Sequence, residues 1–294
     1  MRTVLRLIPL GLSLSLAFLA FGQGVVVEVD DVTDNRVTAE MLRGSLDLRL
    51  RLSGAELEDA TAARVIVKEA RDDRGTVLTK GDANQPDFQG REYNAGTVML
   101  SLLSPARGAS SVLIKGNVEI FAPSRDPNAM VRIDKALTKL DTPLASKTLQ
   151  AAKIELTPLS AARYEAMLKD REVTEEMIAA MRAEGKKAGA SEKEIELAIG
   201  LAQALGGMDA PPREGTVLLA GKRSSFDQIF RIDVLGADGE PMDTPERGSS
   251  TRGYDTIMTI VPREPPAADA ALQITLLTAK SRLSIPFELT LELP

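Results

Sequence analysis

Carboxylate side chains are the groups of this sequence whose spacing could support chemistry. Calcium binds oxygen ligands that closely spaced carboxylates supply in loops, and the ends of β-sandwiches often present such loops. None of the acidic stretches has the Asp-x-Asp-x-Asp-Gly spacing of a calcium-binding helix-loop-helix, and turn formation explains most of them. A ligand- or calcium-binding module that uses acidic loops is therefore the second hypothesis for function. The stretches are Asp30, Asp31 and Asp34; Asp72 and Asp73; Asp82 and Asp87; and Asp238 and Asp243.

Two carboxylates are also sufficient for glycoside hydrolysis, which does not require histidine. Sugar rings, however, stack on aromatic side chains, and the chain has no tryptophan, three tyrosines and seven phenylalanines. This composition argues against glycoside chemistry and against carbohydrate binding by stacking. A hydrolase with paired carboxylates is the one enzyme hypothesis that the composition leaves open.

Histidine and cysteine are both absent from the sequence. Their absence excludes Ser-His and Cys-His nucleophilic sites and ordinary zinc sites. No serine has a lysine three residues further on, so the Ser-x-x-Lys arrangement of penicillin-binding enzymes is also excluded. The first hypothesis is therefore a protein that is not an enzyme and has no cofactor and no metal site. The calcium-binding module and the hydrolase with paired carboxylates stay open as the alternatives.

One segment approaches the spacing of a phosphate-binding loop. Gly215 and Gly221-Lys222 are separated by five residues where the motif has four, and Arg223 stands where Ser or Thr would reach magnesium. The apolar run Val217–Ala220 instead predicts a β-strand.

The N-terminus has the pattern of a cleavable signal peptide at residues 1–22. Arg2 and Arg6 give a positive start, Leu7–Phe21 is mostly apolar, and Ala20-Phe21-Gly22 precedes a cleavage site at Gln23. The apolar run is too short for a retained anchor, and without cysteine no lipid can be attached at the site. We expect an exported protein, periplasmic or extracellular in a bacterium.

The charge of the remaining chain disfavours nucleic acid as a partner. Without Arg2 and Arg6 it carries 34 basic and 42 acidic residues, a formal net charge of −8, which repels nucleic acid and anionic lipid on average. No later segment is long and apolar enough to span a bilayer. We therefore expect no nucleic-acid partner and no membrane insertion of the mature chain. The expected partner of an exported chain is an envelope protein.

Short blocks of similar sequence recur in the same order in the two halves of the chain and indicate an internal duplication. The paired blocks are Val27–Asp30 with Val131–Asp134, Leu46–Ser53 with Gln150–Thr157, Val65–Gly75 with Phe230–Gly239, Thr97–Leu100 with Thr256–Thr259, Val112–Lys115 with Leu272–Thr275, and Ile120–Pro123 with Leu283–Pro286. We expect one domain at 24–129 and a second at 130–294.

The blocks alternate apolar and polar residues, as in Leu46-Asp-Leu-Arg-Leu-Arg-Leu, which predicts strands with one buried face. Short strands separated by Gly, Pro and Asp turns favour a mainly β fold of two tandem immunoglobulin-like antiparallel β-sandwiches. A resemblance to known proteins rests on three short motifs. They are Asp72-Asp-Arg-Gly75, Ser104-Pro-Ala-Arg-Gly108 and the C-terminal Ile-Pro-Phe and Leu-Pro294. The chain resembles uncharacterised bacterial secreted proteins with tandem immunoglobulin-like β-sandwich repeats, which implies a fold but no activity.

Residues 158–207 interrupt the second half with a composition rich in Ala, Glu, Lys and Met, which predicts a three-helix insertion. Thr157 or Ser160 can start the first helix, and Thr174 the second. Ser191 with Glu194 forms a capping box for the third. Gly189 and Gly206 are predicted to end the last two helices.

The insertion is the predicted functional element, because it breaks the repeat without adding to a sandwich core. Met208 and the neighbouring methionines suggest an adaptable binding face, although packing between helices explains the same pattern. Lys186, Lys187 and Lys193 are interpreted as solvated charge. We expect a non-enzymatic exported protein that docks a partner through the helices. The residues of the predicted partner surface are Met167, Met177, Ile178, Met181, Ile195 and Ile199.

Overall fold

The computed structural model describes residues 24–36, 44–79, 87–90, 96–169, 174–206, 212–252 and 255–293. Over these residues the chain is mainly β and contains several antiparallel sheets. Its contacts divide it into two compact units: the first combines Met1–Arg125 with Ala279–Pro294, and the second is Asp126–Thr278. The predicted signal peptide lies outside the described residues. Within the described part of the chain, no helix has the length and apolar character needed to cross a bilayer.

The first unit contains two antiparallel sheets, with strand orders β1-β2-β5 and β14-β6-β3-β4. Their strands are β1 (Val26–Asn35), β2 (Ser45–Ser53), β3 (Ala62–Asp72), β4 (Gln89–Gly90), β5 (Thr97–Leu103), β6 (Ser111–Phe121) and β14 (Arg282–Glu292). On β2, Leu46, Leu48, Leu50 and Leu52 are buried and alternate with polar residues, as the period of a half-buried strand requires. Buried side chains of both sheets form one apolar cluster.

The second unit also contains two antiparallel sheets, with orders β10-β13-β7 and β11-β12-β9-β8. Their strands are β7 (Met130–Ile133), β8 (Leu156–Leu159), β9 (Val217–Lys222), β10 (Ile229–Leu235), β11 (Glu246–Arg252), β12 (Asp255–Val261) and β13 (Ala271–Leu276). Strand β9 occupies the segment that approached a phosphate-binding loop, so the strand prediction is confirmed. Leu219, Ile232, Ile260 and Leu272 belong to one buried cluster that draws on both sheets.

Five helices are present among the described residues of the second unit: α1 (Lys147–Ala151), α2 (Ala161–Lys169), α3 (Glu175–Lys187), α4 (Glu192–Gly206) and α5 (Arg223–Phe226). The predicted caps are confirmed, because the Met177 N–H donates to Thr174 Oγ1 at 3.2 Å and the Ser191 N–H donates to Glu194 Oε2 at 2.8 Å. Helix α3 is followed by Gly189 with φ 79°, a conformation that glycine adopts without strain.

The C-terminal strand does not follow the predicted domain boundary. The sequence places residues 130–294 in the second domain, but β14 pairs with β6 along its whole length, from Arg282 opposite Phe121 to Glu292 opposite Ser111. Residues 279–294 therefore belong to the first unit. Ile120 and Leu283, expected to be equivalent residues of two repeats, are cross-strand neighbours. Alternation fixes which face of a strand is buried but not which sheet the strand joins.

The two units share strand order and one turn. β14-β6-β3 in the first unit corresponds to β7-β13-β10 in the second. Both predicted hairpin turns are present: the Gly75 N–H donates to the Asp72 carbonyl at 3.1 Å and the Gly239 N–H to the Gly236 carbonyl at 3.0 Å. Both glycines have φ 84°. The turn pair supports the predicted internal similarity of β3 and β10.

Three predicted pairs of blocks are wrong. Ile120–Pro123 and Leu283–Pro286 lie on neighbouring strands, and β7, which contains Val131–Ile133, corresponds to β14 and not to the β1 strand of Val27–Asp30. The third pair is Leu46–Ser53 with Gln150–Thr157. Gln150–Thr157 was expected to form a strand like Leu46–Ser53, but α1 ends at Ala151 and β8 begins only at Leu156. The Ser146 hydroxyl accepts from the Leu149 N–H and caps α1, and Lys153 has φ 56°, so this segment turns where a strand would be extended.

The Gln89 side chain covers part of the open edge of β5. Its Nε2 donates to the Met99 carbonyl and its Oε1 accepts from the Met99 N–H, both at 2.8 Å. We expect Gln89→Ala to lower the free energy of unfolding by about 1–2 kcal/mol, because two hydrogen bonds are lost. Gln89→Glu keeps the acceptor and loses the donor, so it should fall between wild type and alanine. Urea denaturation measures all three, and equal midpoints would show that the amide contributes nothing.

Candidate functional site

Helices α3 and α4 form a pair whose buried side chains are not part of the strand cores. Ile195 and Ile199 of α4 are 5% and 3% exposed, and α3 has no buried residue. Gly185 of α3 allows the close approach, because a Cβ there would lie 2.7 Å from Ile195 Cγ1. Arg182 Nη2 also pairs with Glu196 Oε1 at 2.8 Å. Ile195 is thus buried against α3, and Ile199, one turn further along the same side of α4, is buried as well.

Packing accounts for most of the predicted partner surface. Ile195 and Ile199 are buried, Ile178 and Met181 are half-buried, and Met167 packs against the cluster of Leu159, Tyr164, Leu218 and Ile257. Met177 alone of the six is exposed, with 47% of its surface accessible. The prediction is corrected accordingly: one stripe of α4 faces α3 and is not a free surface. Met208 lies outside the described residues.

The exposed apolar surface lies on the opposite side of α4. Leu197 and Leu201 are 74% and 60% exposed, and Leu197 follows Ile195 by two residues, about 200° around the helix. Gly200 stands between them, and a Cβ on it would meet no atom within 4 Å. The sequence of α4 has the spacing of this second apolar stripe as well. The prediction missed it because it gave each helix a single apolar stripe. Helix α4 is therefore apolar on two sides, of which one is covered.

Charged residues flank the exposed leucines at the start of α4. Glu192 and Glu194 lie in its first turn. The Ser191 hydroxyl, followed by its backbone N–H, holds the pKa of Glu194 below its usual value. Lys193 is exposed between them, and Lys186 and Lys187 are exposed at the end of α3. The first turn of α4 thus carries two carboxylates and one lysine, and Lys186 and Lys187 add two positive charges at the end of α3.

Aspartates of the first acidic stretch form ion pairs with arginines of the same unit. Arg49 donates to Asp30 at 2.7 Å and Arg51 also pairs with Asp30, and Arg36 donates to Asp34 at 2.7 Å. The Arg49 hydrogen bond, against a smaller opposing effect of burial, holds the pKa of Asp30 below its usual value.

In the second unit, Arg263 pairs with Asp243 at 2.7 Å, and Asp238 accepts from the Glu240 N–H at 3.0 Å. Asp82 lies outside the described residues. Across the ranges that the structure covers, no group of three or more His, Cys, Asp or Glu could hold a metal ion. Ion pairing and turn formation account for Asp30, Asp34, Asp238 and Asp243.

A cavity of about 320 Å³ in the second unit is lined by Gln150, Lys153, Ile154, Glu155, Lys222 and Ser225. Glu155 is the single carboxylate of this lining, and the Ser225 hydroxyl accepts from the Glu155 N–H at 3.3 Å. Two carboxylates on opposite sides of a bond are what glycoside hydrolysis needs. This cavity does not supply them.

Comparison of the chain with models of protein families, with curated protein sequences and with solved structures finds no match.

Proposed function

We propose that this chain is a non-enzymatic exported protein that binds an envelope partner by inserting the outer side of α4 into an apolar groove. One observation carries the proposal: Leu197 and Leu201 are large apolar side chains, more than half exposed, on a helix whose other apolar side is already covered. Large apolar surfaces left in water on a folded protein often mark interaction sites.

The spacing of the two leucines suits recognition of a helix by a groove. Anchors at i and i+4 lie one above the other on one side of a helix, which is how amphipathic helices engage apolar grooves. Gly200 beside them adds no side chain and leaves room for the partner's backbone to approach. Burial of both leucines would contribute roughly 3 kcal/mol in total.

Charge around the leucines defines the partner further. Glu192 and Glu194 lie at the start of α4, and the carboxylate of Glu194 stays ionised because Ser191 stabilises it. The partner groove should therefore be apolar at its base, with a basic group opposite Glu194 and an acidic group opposite Lys193 at its rim. Such complementarity acts mainly on association rate and specificity.

Export and the immunoglobulin-like architecture belong to the same proposal. The positive, apolar and small-residue segments of 1–22 support export. The orders β8-β9-β12-β11 and β10-β13-β7 correspond to the A-B-E-D and C-F-G orders of constant-type immunoglobulin domains. The β8–β9 connection carries α2, α3 and α4, whereas the β1–β2 connection spans only 36–44, which supports the description of these helices as an insertion.

The test begins with a photo-reactive amino acid at position 201, which should crosslink one envelope protein in the source cells. That protein is identified by mass spectrometry, purified and titrated against Leu197→Glu/Leu201→Glu. We expect roughly 100-fold weaker binding, because each lost leucine contact contributes about 1.5 kcal/mol. The thermal midpoint of the variant should stay within about 2 °C of wild type, because both side chains are exposed in the free protein.

Met177→Glu is the matched control, since it places the same charge on an exposed apolar position of α3. It should leave partner affinity within about threefold of wild type. Equal weakening by both variants would assign the contact to the helix pair as a whole. An identified partner whose affinity Leu197→Glu/Leu201→Glu leaves unchanged, or no position-dependent crosslink, would contradict the proposal.

A further inference from the structure

The first unit is built from two separate segments of the chain, and the second of these segments supplies only strand β14. The other strands of this unit lie within residues 26–121, and β14 begins at Arg282. Ile285 and Phe287 of β14 are 3% and 9% exposed in the core. Leu283, Leu289 and Leu291 pack against the same cluster, partly buried. Without β14, β6 would present an unpaired edge beside an open apolar groove.

A slot in β6 receives the one aromatic side chain of β14. Phe287 lies opposite Gly116 in the strand register. A Cβ on Gly116 would lie 2.4 Å from the Ile66 carbonyl oxygen and 3.1 Å from the Phe287 ring. Only glycine leaves room for both, so the groove has a defined place for an aromatic residue.

Polar pairs on both sides of this slot fix the register of β14. Lys115 Nζ pairs with Glu288 Oε2 at 3.1 Å, and Asn117 Nδ2 donates to Ser284 Oγ at 2.8 Å. A slip by one residue would expose Ile285 and Phe287 and bury their polar neighbours. The groove thus recognises an extended strand with a specific order of apolar and polar residues.

The second unit has a strand in the equivalent position, but this strand lies within the unit's own continuous segment, Asp126–Thr278. β7 pairs with β13 as β14 pairs with β6. In chain order, β7 directly follows β6 of the first unit and pairs in the second unit. In the same way, β14 directly follows β13 of the second unit and pairs in the first unit. Only the first unit therefore takes its edge strand from a separate segment of the chain, which makes β14 the strand that a second copy could replace.

We infer that the β6 groove is a strand-binding site that also accepts β14 of a second copy of this chain, giving a strand-swapped dimer. Every contact of the groove is the same whichever copy supplies the strand, so the choice depends on concentration. The tethered strand competes with an effective concentration on the order of 1 mM. At about 0.1 mM chain, roughly a tenth of the grooves should therefore hold a foreign strand after folding.

The absence of cysteine allows a direct test. Lys115 and Glu288 are partly exposed and directly opposite each other, within the reach of a disulfide. Lys115→Cys and Glu288→Cys chains are mixed in urea, refolded together at about 0.1 mM and oxidised with diamide. In an equal mixture half of the foreign strands come from the other variant, so we expect roughly a twentieth of the chains to form a disulfide-linked dimer, and a smaller fraction when refolding is done at tenfold dilution.

Two controls make the result decisive. Lys115→Cys/Glu288→Cys in one dilute chain should form the intrachain disulfide, which shows that the geometry permits the bond. Glu58→Cys, an exposed position away from β6, is mixed with Glu288→Cys to measure random collision. The inference is overturned if the intrachain bond forms but the mixed chains link no more than this collision control.

Discussion

Phe287→Ala should lower the free energy of unfolding of the first unit by about 3–5 kcal/mol, the range for removing a buried aromatic ring. Phe287 is 9% exposed and contributes to the buried cluster beside Ile285. The slot at Gly116 is closed on its far side by the Ile66 carbonyl, so the backbone has little freedom to collapse into the space. We expect the variant to unfold at a lower urea concentration than wild type when unfolding is followed by far-UV circular dichroism.

Two matched variants distinguish the packing of the Phe287 side chain from the backbone pairing of β14 with β6. Thr290→Ala removes an exposed side chain of the same strand and should change stability by less than about 0.5 kcal/mol. Phe287→Leu keeps an apolar side chain in the slot and should fall between alanine and wild type. A change below about 1 kcal/mol for Phe287→Ala would mean that β14 contributes through its backbone alone, and that the groove does not recognise the aromatic residue.

The local parts of the fold could be predicted from the sequence. Alternation over Leu46–Leu52 and Phe287–Leu293 identifies strands, because the two-residue period depends only on neighbouring positions. The caps at Thr174 and Ser191 are also local, since each satisfies a backbone N–H within its own turn. Turns with Gly75 and Gly239 follow from the need for positive φ.

The pairing of β14 could not be predicted, because the choice of sheet depends on contacts between residues far apart in sequence. Phe287 requires a glycine opposite it, yet nothing in the sequence of β14 identifies Gly116 as that glycine. The similarity of Ile120–Pro123 and Leu283–Pro286 suggested equivalent strands in two domains. The same similarity arises when two antiparallel neighbours bury the same side of one sheet.

The predicted partner surface contains the side of α4 that is buried, whereas the exposed leucines lie on the other side. Ile195 and Ile199 have the spacing of a buried stripe, and both are buried, Ile195 against Gly185 of α3. Leu197 and Leu201 have the same spacing, so periodicity alone gives two candidate sides and no means to choose between them. The close approach of Gly185 to Ile195 decides the matter, and that approach depends on how α3 packs.

The carboxylate of Asp72 should be the main polar determinant of stability in the first unit. Its oxygens accept from the N–H groups of Thr76 at 2.7 Å, Ala106 at 2.8 Å and Arg74 at 3.0 Å, while only 4% of the residue is exposed. Asp72→Ala would leave these three donors without their acceptor, at a cost of about 3 kcal/mol. Asp238→Asn, at the exposed turn of the second unit, is the control and should cost less than about 1 kcal/mol.

The pH dependence of Asp72 gives the sharper measurement. Burial alone would raise its pKa, but the N–H groups of Ala106, Thr76 and Arg74 outweigh burial and hold the pKa below the usual 3.8. The unfolded chain therefore binds the proton at higher pH than the folded chain, so this stabilisation is complete above about pH 5 and is lost as the pH falls through the folded pKa.

Wild type and Asp72→Ala should thus differ most in urea midpoint above about pH 5, and their midpoints should converge as the pH falls below the ordinary pKa of an aspartate. A difference between wild type and Asp72→Ala that stays constant down to about pH 2 would mean that the side chain acts through packing. The backbone donors around it would then not depend on its charge.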